Sequence, residues 1–162
     1  RVQEAEQKYL SLNSHINTEL HLIGPLQRNK VKNALKIFDV IQTIDRNSLV
    51  DEIAKQLNKS IPIKTNKFFI QVNIGDERQK SGVLKENLQD FYNYAIDKKL
   101  NIHGFMCIPP NVHDPSNYFK EMIELRDRIN KGLKLSMGMS NDYKIAIKHQ
   151  SDMIRIGSLI FQ

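Results

Sequence analysis

The feature that most constrains the fold of this chain is an alternation of short apolar runs with longer segments of helical period. Compact runs rich in Ile, Val, Phe, Leu or Met are typical of strands that are buried on both faces of a parallel sheet. The sequence predicts six such strands, at residues 21–24, 40–44, 68–72, 102–108, 133–137 and 153–157. This order predicts repeated βα units.

Amphipathic stripes lie between the predicted strands. Ser48 can cap one helix, and the dipeptide Asp114-Pro115 is typical of the entry to another. Apolar residues then recur at helical spacing, which predicts core packing. The three stripes are Leu49, Val50, Ile53 and Leu57; Leu84, Leu88, Phe91 and Ala95; and Tyr118, Met122, Leu125 and Ile129. Residues 2–10 predict a further helix at the start.

Two folds fit this order, a doubly wound sheet or a (β/α)₈ barrel that lacks two of its units. The dinucleotide-binding pattern G-x-G-x-x-G is absent from the sequence. We expect residues 1–162 to form a single domain, with a flexible link at residues 58–66. The body of a helix at Arg1 indicates that the natural domain begins upstream.

Composition argues against several classes of protein. No apolar stretch approaches the roughly 18 residues of a membrane span, and no signal peptide pattern is present, so we expect a soluble cytoplasmic protein. The single cysteine, Cys107, allows no intramolecular disulfide and no zinc spacing. The net charge is +6, but the lysines and arginines are interspersed with acidic residues. This pattern favours a solvated basic surface over a nucleic-acid groove.

Polar and turn-forming residues follow the predicted strands. In a barrel these strand ends converge on one mouth, where binding residues lie. The set comprises Gly24, Pro25, Gln27, Asp45, Asn73, Pro109, Pro110, Ser140, Asn141, Gly157 and Ser158. The histidines share no metal-ligand spacing, and Cys107 lies in an apolar run, so we expect neither metal catalysis nor a catalytic thiol.

The last two strand ends favour an anion site. A glycine and a hydroxyl follow each strand, at Ser140 and at Gly157 with Ser158, and amides at such turns bind phosphate. Taken singly, Ser140 could be only a helix cap and Gly157 only a turn residue. Arg155 lies within the apolar strand MIRIG, where a buried guanidinium needs an acceptor. A barrel carboxylate or a ligand could supply it.

Several segments together resemble one family. HLIGPLQRNK, FFIQVNIGDERQKSG, GFMCIPP, SMGMSND and MIRIGSLIF occur in this order and are similar to segments of the pyridoxal phosphate homeostasis proteins. Their barrel is similar to the N-terminal domain of alanine racemase. The resemblance implies pyridoxal 5′-phosphate as cofactor, with Arg155 at its pyridine nitrogen and Ser140, Gly157 and Ser158 at its phosphate.

The sequence departs from the family at its front. Family members carry a Schiff-base lysine in a motif like VSK on the first strand, and a second strand ending in a motif like GEN, and neither occurs here. Lys30 and Lys80 lie in family-like segments but match no anchor. We expect the natural protein to contain the missing strands; alternatively, another chain covers the gap.

Three functions remain open at this point. The leading one is a monomeric, non-catalytic protein of vitamin B6 homeostasis that binds pyridoxal phosphate and delivers it to apo-enzymes. An amino-acid racemase or decarboxylase is the second, although it would need an acid/base residue at the mouth. A module that binds nucleic acid or a partner through the basic surface is the third.

Overall fold

The apolar runs form one parallel sheet in the computed structural model, which describes Val2, Ala5, residues 18–59 and residues 62–160. In chain order the strands are β1 (His21–Leu22), β2 (Val40–Ile44), β3 (Lys67–Asn73), β4 (Val83–Leu84), β5 (Ile102–Cys107), β6 (Lys134–Met139) and β7 (Met153–Arg155). The spatial order is β1-β2-β3-β5-β6-β7, and β4 pairs with the end of β3. All pairings are parallel.

Helices supply the crossovers that parallel strands require. Over the described ranges they are α1 (Val31–Ile37), α2 (Asn47–Leu57), α3 (Leu88–Asp97), α4 (Ser116–Ile129) and α5 (Tyr143–Lys148). Short 3₁₀ turns, Arg28–Lys30 and Lys85–Asn87, lead into α1 and α3. None of the helices in these ranges has the length and apolar content to cross a membrane.

The main core lies between the helices and one face of the sheet. Leu49, Val50 and Ile53 on α2 are fully buried there, as the stripe predicts. One assignment was wrong: Leu84 is 39% exposed and belongs to β4, because α3 begins only at Leu88. On α4, Phe119 is buried and Tyr118 only packs against the core from its edge.

The other face of the sheet encloses a second, smaller core. It consists of Val40, Phe69 and Met106, with Ile108 and Met153 packed against them. Side chains alternate between the faces of a strand. Gln42 and Ser136 therefore lie on this inner face, two residues beyond Val40 and beside Met106 in register.

The sheet is curled into part of a barrel. Gln42 on β2 and Ser136 on β6 are hydrogen bonded at 2.7 Å, although β3 and β5 lie between their strands. On a flat sheet three steps of about 4.8 Å would separate the two strands by roughly 14 Å. The inner face is therefore concave. The expected (β/α)₈-type barrel, incomplete in this chain, is confirmed, and the doubly wound alternative is wrong.

Several element boundaries differ from the prediction. β1 ends at Leu22 and β7 at Arg155, each two residues early, and β6 extends to Met139. Helix α2 begins at Asn47, with Arg46 rather than Ser48 in the capping position. The predicted helix at residues 2–10 lies outside the described residues except for Val2 and Ala5, as does part of the predicted link at 58–66.

Candidate functional site

A cleft of about 980 Å³ opens at the carboxyl ends of β1, β5, β6 and β7. Its walls combine apolar side chains with a few polar groups, which is typical of a small-molecule site. The strand-end residues that line it are Pro109, Pro110, Ser140, Asn141, Gly157 and Ser158, and Arg155 lies among them. The turns that follow β5, β6 and β7 thus meet in one place.

Other strand-end residues serve the loops instead. The amide of Asn73 donates to the Glu77 carbonyl at 2.8 Å, and its Oδ1 accepts from the Glu77 N–H at 3.2 Å. Asp45 pairs with Arg46 at 2.5 Å and lines a separate, smaller cleft. These contacts hold the β2 and β3 turns, and neither residue lines the large cleft.

Arg155 is half-buried at the inner edge of the cleft. Its Nη1 donates to the Ser136 hydroxyl at 2.8 Å, and its Nη2 donates to the Cys107 carbonyl at 2.8 Å. Both acceptors are neutral, and no carboxylate of the described ranges forms an ion pair with it. The barrel carboxylate considered as an alternative partner is therefore absent from the contacts of Arg155 in those ranges.

No carboxylate of the described ranges contacts Arg155 directly, and the Asp142 carboxylate offsets its positive charge only at longer range. Burial lowers the pKa of its guanidinium, and the Cys107 and Asp142 groups nearby oppose only part of that shift. A half-buried cation held by two neutral acceptors still has donor capacity toward the cleft, since guanidinium carries five N–H groups. The cleft therefore presents a donor site for a ligand.

A chain of polar side chains continues behind Arg155. The Ser136 hydroxyl donates to Gln42 Oε1 at 2.7 Å, and Gln42 Nε2 lies 2.8 Å from His21 Nδ1 and 2.9 Å from Met153 Sδ. Sequence reasoning missed Gln42 and Ser136. The available signal was a polar residue within each of the apolar strands VIQTI and KLSMGM.

Ser140 and Gly157 meet at the outer end of the cleft. The Gly157 N–H points to the Ser140 hydroxyl at 3.5 Å, a long contact that leaves the amide available to a better acceptor. Ser158 is exposed and lines the same cleft. Helix α5 begins at Tyr143, so Ser140 lies in the preceding turn rather than at the helix start.

The turn after β6 depends on Gly138. Its φ of +94° is rarely adopted by residues with a side chain, and an added Cβ would lie 2.6 Å from the Ala146 Cβ. Asp142 then closes the turn by accepting the Met139 N–H at 2.6 Å through Oδ1. Together these contacts direct residues 139–142 along the cleft wall.

The remaining candidate groups have other roles. Desolvation raises the pKa of the Cys107 thiol to about 12, which disfavours the nucleophilic thiolate. Lys80 reaches the cleft, where its Nζ pairs with Glu77 at 2.5 Å. Lys30 ends a 3₁₀ turn and does not line the cleft. No group of three or more His, Cys, Asp or Glu within residues 18–59 and 62–160 could hold a metal.

Comparison with known proteins matches the geometry to one family. The family model for the alanine racemase N-terminal domain matches residues 1–162. The pyridoxal phosphate homeostasis protein of Aquifex aeolicus is 38% identical over 170 residues, covering 99% of this chain and 73% of the relative. That of Haemophilus influenzae is 39% identical over 175 residues, covering 99% and 71%. The chain thus spans about three quarters of each relative.

Solved structures agree with this assignment. PipY of Synechococcus elongatus PCC7942 without PLP has a TM-score of 0.84 at 27% identity, covering all of this chain and 79% of PipY. PipY with PLP bound gives 0.81 with the same identity and coverage. Alanine racemase of Corynebacterium glutamicum, at 15% identity and a TM-score of 0.64, shares the fold alone. The chain belongs to the pyridoxal phosphate homeostasis protein family, whose barrel is that of the alanine racemase N-terminal domain.

Proposed function

We propose that this protein binds pyridoxal 5′-phosphate in the large cleft and acts in vitamin B6 homeostasis without catalysing a reaction of its own. The observation that carries the proposal is Arg155, a half-buried cation whose two observed acceptors are neutral and whose remaining donor capacity meets the cleft. The names of the relatives and the PLP-bound PipY structure support the same ligand.

The residues present fit this cofactor. Arg155 would donate to the pyridine nitrogen, and the Gly157 amide with the hydroxyls of Ser140 and Ser158 would hold the phosphate. The cleft of about 980 Å³ lies within the roughly 300–1,000 Å³ that small-molecule sites occupy. We propose residues 1–162 as one domain for this ligand.

The chemistry of the cleft supports storage rather than turnover. When bound, pyridoxal phosphate supplies an aldehyde that reacts with amines and a ring that withdraws electrons. A guanidinium that donates to the ring nitrogen keeps that nitrogen unprotonated, which weakens electron withdrawal. In addition, no tyrosine or cysteine side chain is among the described residues that line the cleft, so an acid/base partner of the racemase kind is not supported.

The cellular part of the proposal is that a monomer in the cytoplasm buffers the cofactor and passes it to apo-enzymes. The mouth is open to solvent at Gly157 and Ser158, which line the cleft and are exposed. Such access supports release to another protein. Gel filtration with light scattering tests the monomer, and restoration of activity in an apo-enzyme mixed with the loaded chain tests delivery.

Equilibrium dialysis of the purified chain against pyridoxal phosphate tests binding directly. We expect binding that weakens about tenfold in Arg155→Gln, because a hydrogen bond to a charged group is lost. Arg128→Gln is the matched control, since Arg128 is exposed on α4. Equal affinity of the two variants, or no binding by the parent chain, would contradict the proposal.

Borohydride reduction followed by mass measurement tests the mode of attachment. The resemblance places the anchoring lysine outside these residues, so we expect no cofactor to become fixed to this chain. Fixation on Lys80 or Lys30 would show that the anchor had been assigned wrongly. Racemisation of alanine measured on the same loaded sample tests the enzyme alternative, and we expect none above the rate of the free cofactor.

A further inference from the structure

Four polar side chains form a continuous chain across the inside of the curled sheet. They are Arg155 on β7, Ser136 on β6, Gln42 on β2 and His21 on β1. Gln42 is 1% exposed and Ser136 is fully buried. Buried polar groups are costly unless every hydrogen bond is made. These four connected side chains therefore indicate a functional role.

Hydrogen-bond chemistry fixes the direction of the two links next to Arg155. Arg155 can only donate, so the Ser136 oxygen accepts from Nη1 and its hydroxyl hydrogen points elsewhere. That hydrogen meets Gln42 Oε1 at 2.7 Å. A flipped Gln42 amide would offer hydrogens to the Ser136 oxygen and leave the hydroxyl hydrogen without an acceptor. The observed orientation is therefore the one that satisfies both groups.

His21, at the far end of this chain of side chains, fixes the orientation of the Gln42 amide in turn. Its Nε2 lies 2.8 Å from His21 Nδ1, which accepts the hydrogen when the ring carries its proton on Nε2. Glu19 Oε2 lies 3.6 Å from His21 Nε2, and it favours the tautomer that carries the proton there. Thus Gln42 presents its oxygen to Ser136 and not to the cleft.

We propose that Ser136 and Gln42 are positioning residues that fix the plane of the Arg155 guanidinium so that the cleft accepts a neutral aromatic ring nitrogen. The inference rests on the proposed function, because pyridoxal phosphate supplies that nitrogen. Ser136 on β6 and the Cys107 carbonyl on β5 hold the two Nη atoms at separate points. Two-point attachment defines a plane, whereas loss of one point leaves rotation about the other.

Neutral acceptors are essential to this role. A carboxylate in place of Ser136 would neutralise the guanidinium and weaken its remaining donors. A hydroxyl whose hydrogen is already committed to Gln42 orients Arg155 without removing its charge. A protonated ring nitrogen would point its own N–H at the N–H groups of Arg155, and two donors cannot form a hydrogen bond. The site therefore selects the unprotonated ring.

The first readout needs no ligand. In the parent chain we expect slow rotation of the Arg155 guanidinium, seen by NMR as separate resonances for its Nη hydrogens. In Ser136→Ala these resonances should merge, and Ser136→Thr, which keeps a hydroxyl, should restore part of the separation. Ser151→Ala is the matched control, because Ser151 bonds to backbone atoms of the same two strands but not to Arg155.

The second readout uses two ligands, pyridoxal phosphate and the counterpart in which a carbon replaces the ring nitrogen. We expect Ser136→Ala to lower affinity for pyridoxal phosphate about tenfold and to change affinity for the counterpart little. Gln42→Leu should act in the same direction. Ser151→Ala should affect both ligands equally.

The outcomes separate the two proposals. Unchanged Arg155 resonances in both Ser136→Ala and Gln42→Leu would overturn the positioning role, whether or not ligand binds. Merged resonances without any binding of pyridoxal phosphate by the parent chain would support the positioning geometry and overturn the proposed function. An equal loss of affinity for the two ligands would overturn selection of the ring nitrogen.

Discussion

Arg155 on β7 reaches past β6 and donates from Nη2 to the carbonyl oxygen of Cys107 on β5, at 2.8 Å. The acceptor belongs to the backbone, so no change of the Cys107 side chain removes it. The guanidinium is thus tied to a strand that is not its neighbour, through an atom that mutation does not alter. Substitution of Arg155 therefore removes this hydrogen bond, whereas substitution of Cys107 leaves it in place.

The first prediction concerns Cys107→Ala. The variant should bind pyridoxal phosphate with the affinity of the parent, because the carbonyl remains in place. It should lose about 1 kcal/mol of unfolding free energy, because a fully buried sulfur leaves a small cavity. Urea unfolding and equilibrium dialysis measure the two effects. A large loss of affinity at unchanged stability would show that the side chain, and not the carbonyl, serves Arg155.

The second prediction concerns the reactivity of the Cys107 thiol. Burial raises its pKa to about 12, so the thiol stays protonated at neutral pH in the folded protein. The unfolded chain has the lower pKa, so the stability contributed by the neutral thiol is complete below that value and is lost progressively as the pH rises from it to about 12. We expect a disulfide reagent to react slowly at neutral pH and rapidly once urea unfolds the chain. Rapid reaction in the folded state would contradict this burial.

The third prediction concerns the turn after β6. Gly138→Ala should cost about 2 kcal/mol of unfolding free energy, because a Cβ there meets Ala146 at 2.6 Å and the positive φ disfavours a side chain. Gly24→Ala is the control, since an added Cβ there has open space. Thermal unfolding compares the two. Equal stability of both variants would show that the turn adapts freely.

The fourth prediction is a pH dependence. Burial raises the pKa of Asp39, but hydrogen bonds from Lys64 and from the Leu20 N–H, each at 2.8 Å, outweigh it, and the net pKa is below the usual range. A depressed pKa stabilises the fold above the unfolded pKa, and this stability is lost as pH falls through the folded value. Asp39→Asn should therefore be less stable than the parent at neutral pH.

Urea unfolding over a series of pH values measures this difference. The stability gap between the parent and Asp39→Asn should shrink as the pH falls into the acid range. Asp97→Asn, at an exposed position at the end of α3, serves as the control and should show no such convergence. A gap that stays constant down to strongly acidic pH would contradict the role of the ionised Asp39.

The fifth prediction concerns the phosphate end of the cleft. Ser140→Ala should weaken binding of pyridoxal phosphate several-fold, about the worth of one hydrogen bond, and leave binding of pyridoxal unchanged. Pyridoxal lacks the phosphate and therefore serves as the internal control. Calorimetry with both ligands measures the difference. If both affinities fall together, Ser140 supports the wall of the cleft rather than the phosphate.

The strand interiors were predictable because a strand buried on both faces has a compact apolar run that no loop shares. The two-residue β4 was not, since Val83–Leu84 is too short to show any period and depends on Gly82 turning beside β3. Leu84 was misplaced for the same reason. The local sequence also fails to predict where a helix begins when a 3₁₀ turn precedes it, as before α3.

The site was predictable only in part. Arg155 is conspicuous as a charge within an apolar strand, and the glycine and hydroxyl pairs at two strand ends indicate an anion site. The residues that orient Arg155 are not visible in the sequence, because Gln42 and Ser136 are 94 positions apart and meet only through the curvature of the sheet. Reading either residue alone gives a polar side chain with no partner.

The curled sheet also has a consequence for the time course of folding. Contacts such as Gln42 with Ser136 and Gln42 with Met153 close loops of 94 and 111 residues, which are slow and entropically costly to form. We therefore expect the cleft to be assembled late in folding, when β7 docks against the early strands. Affinity for the cofactor then reports completion of folding, and free cofactor selectively stabilises chains that have finished it.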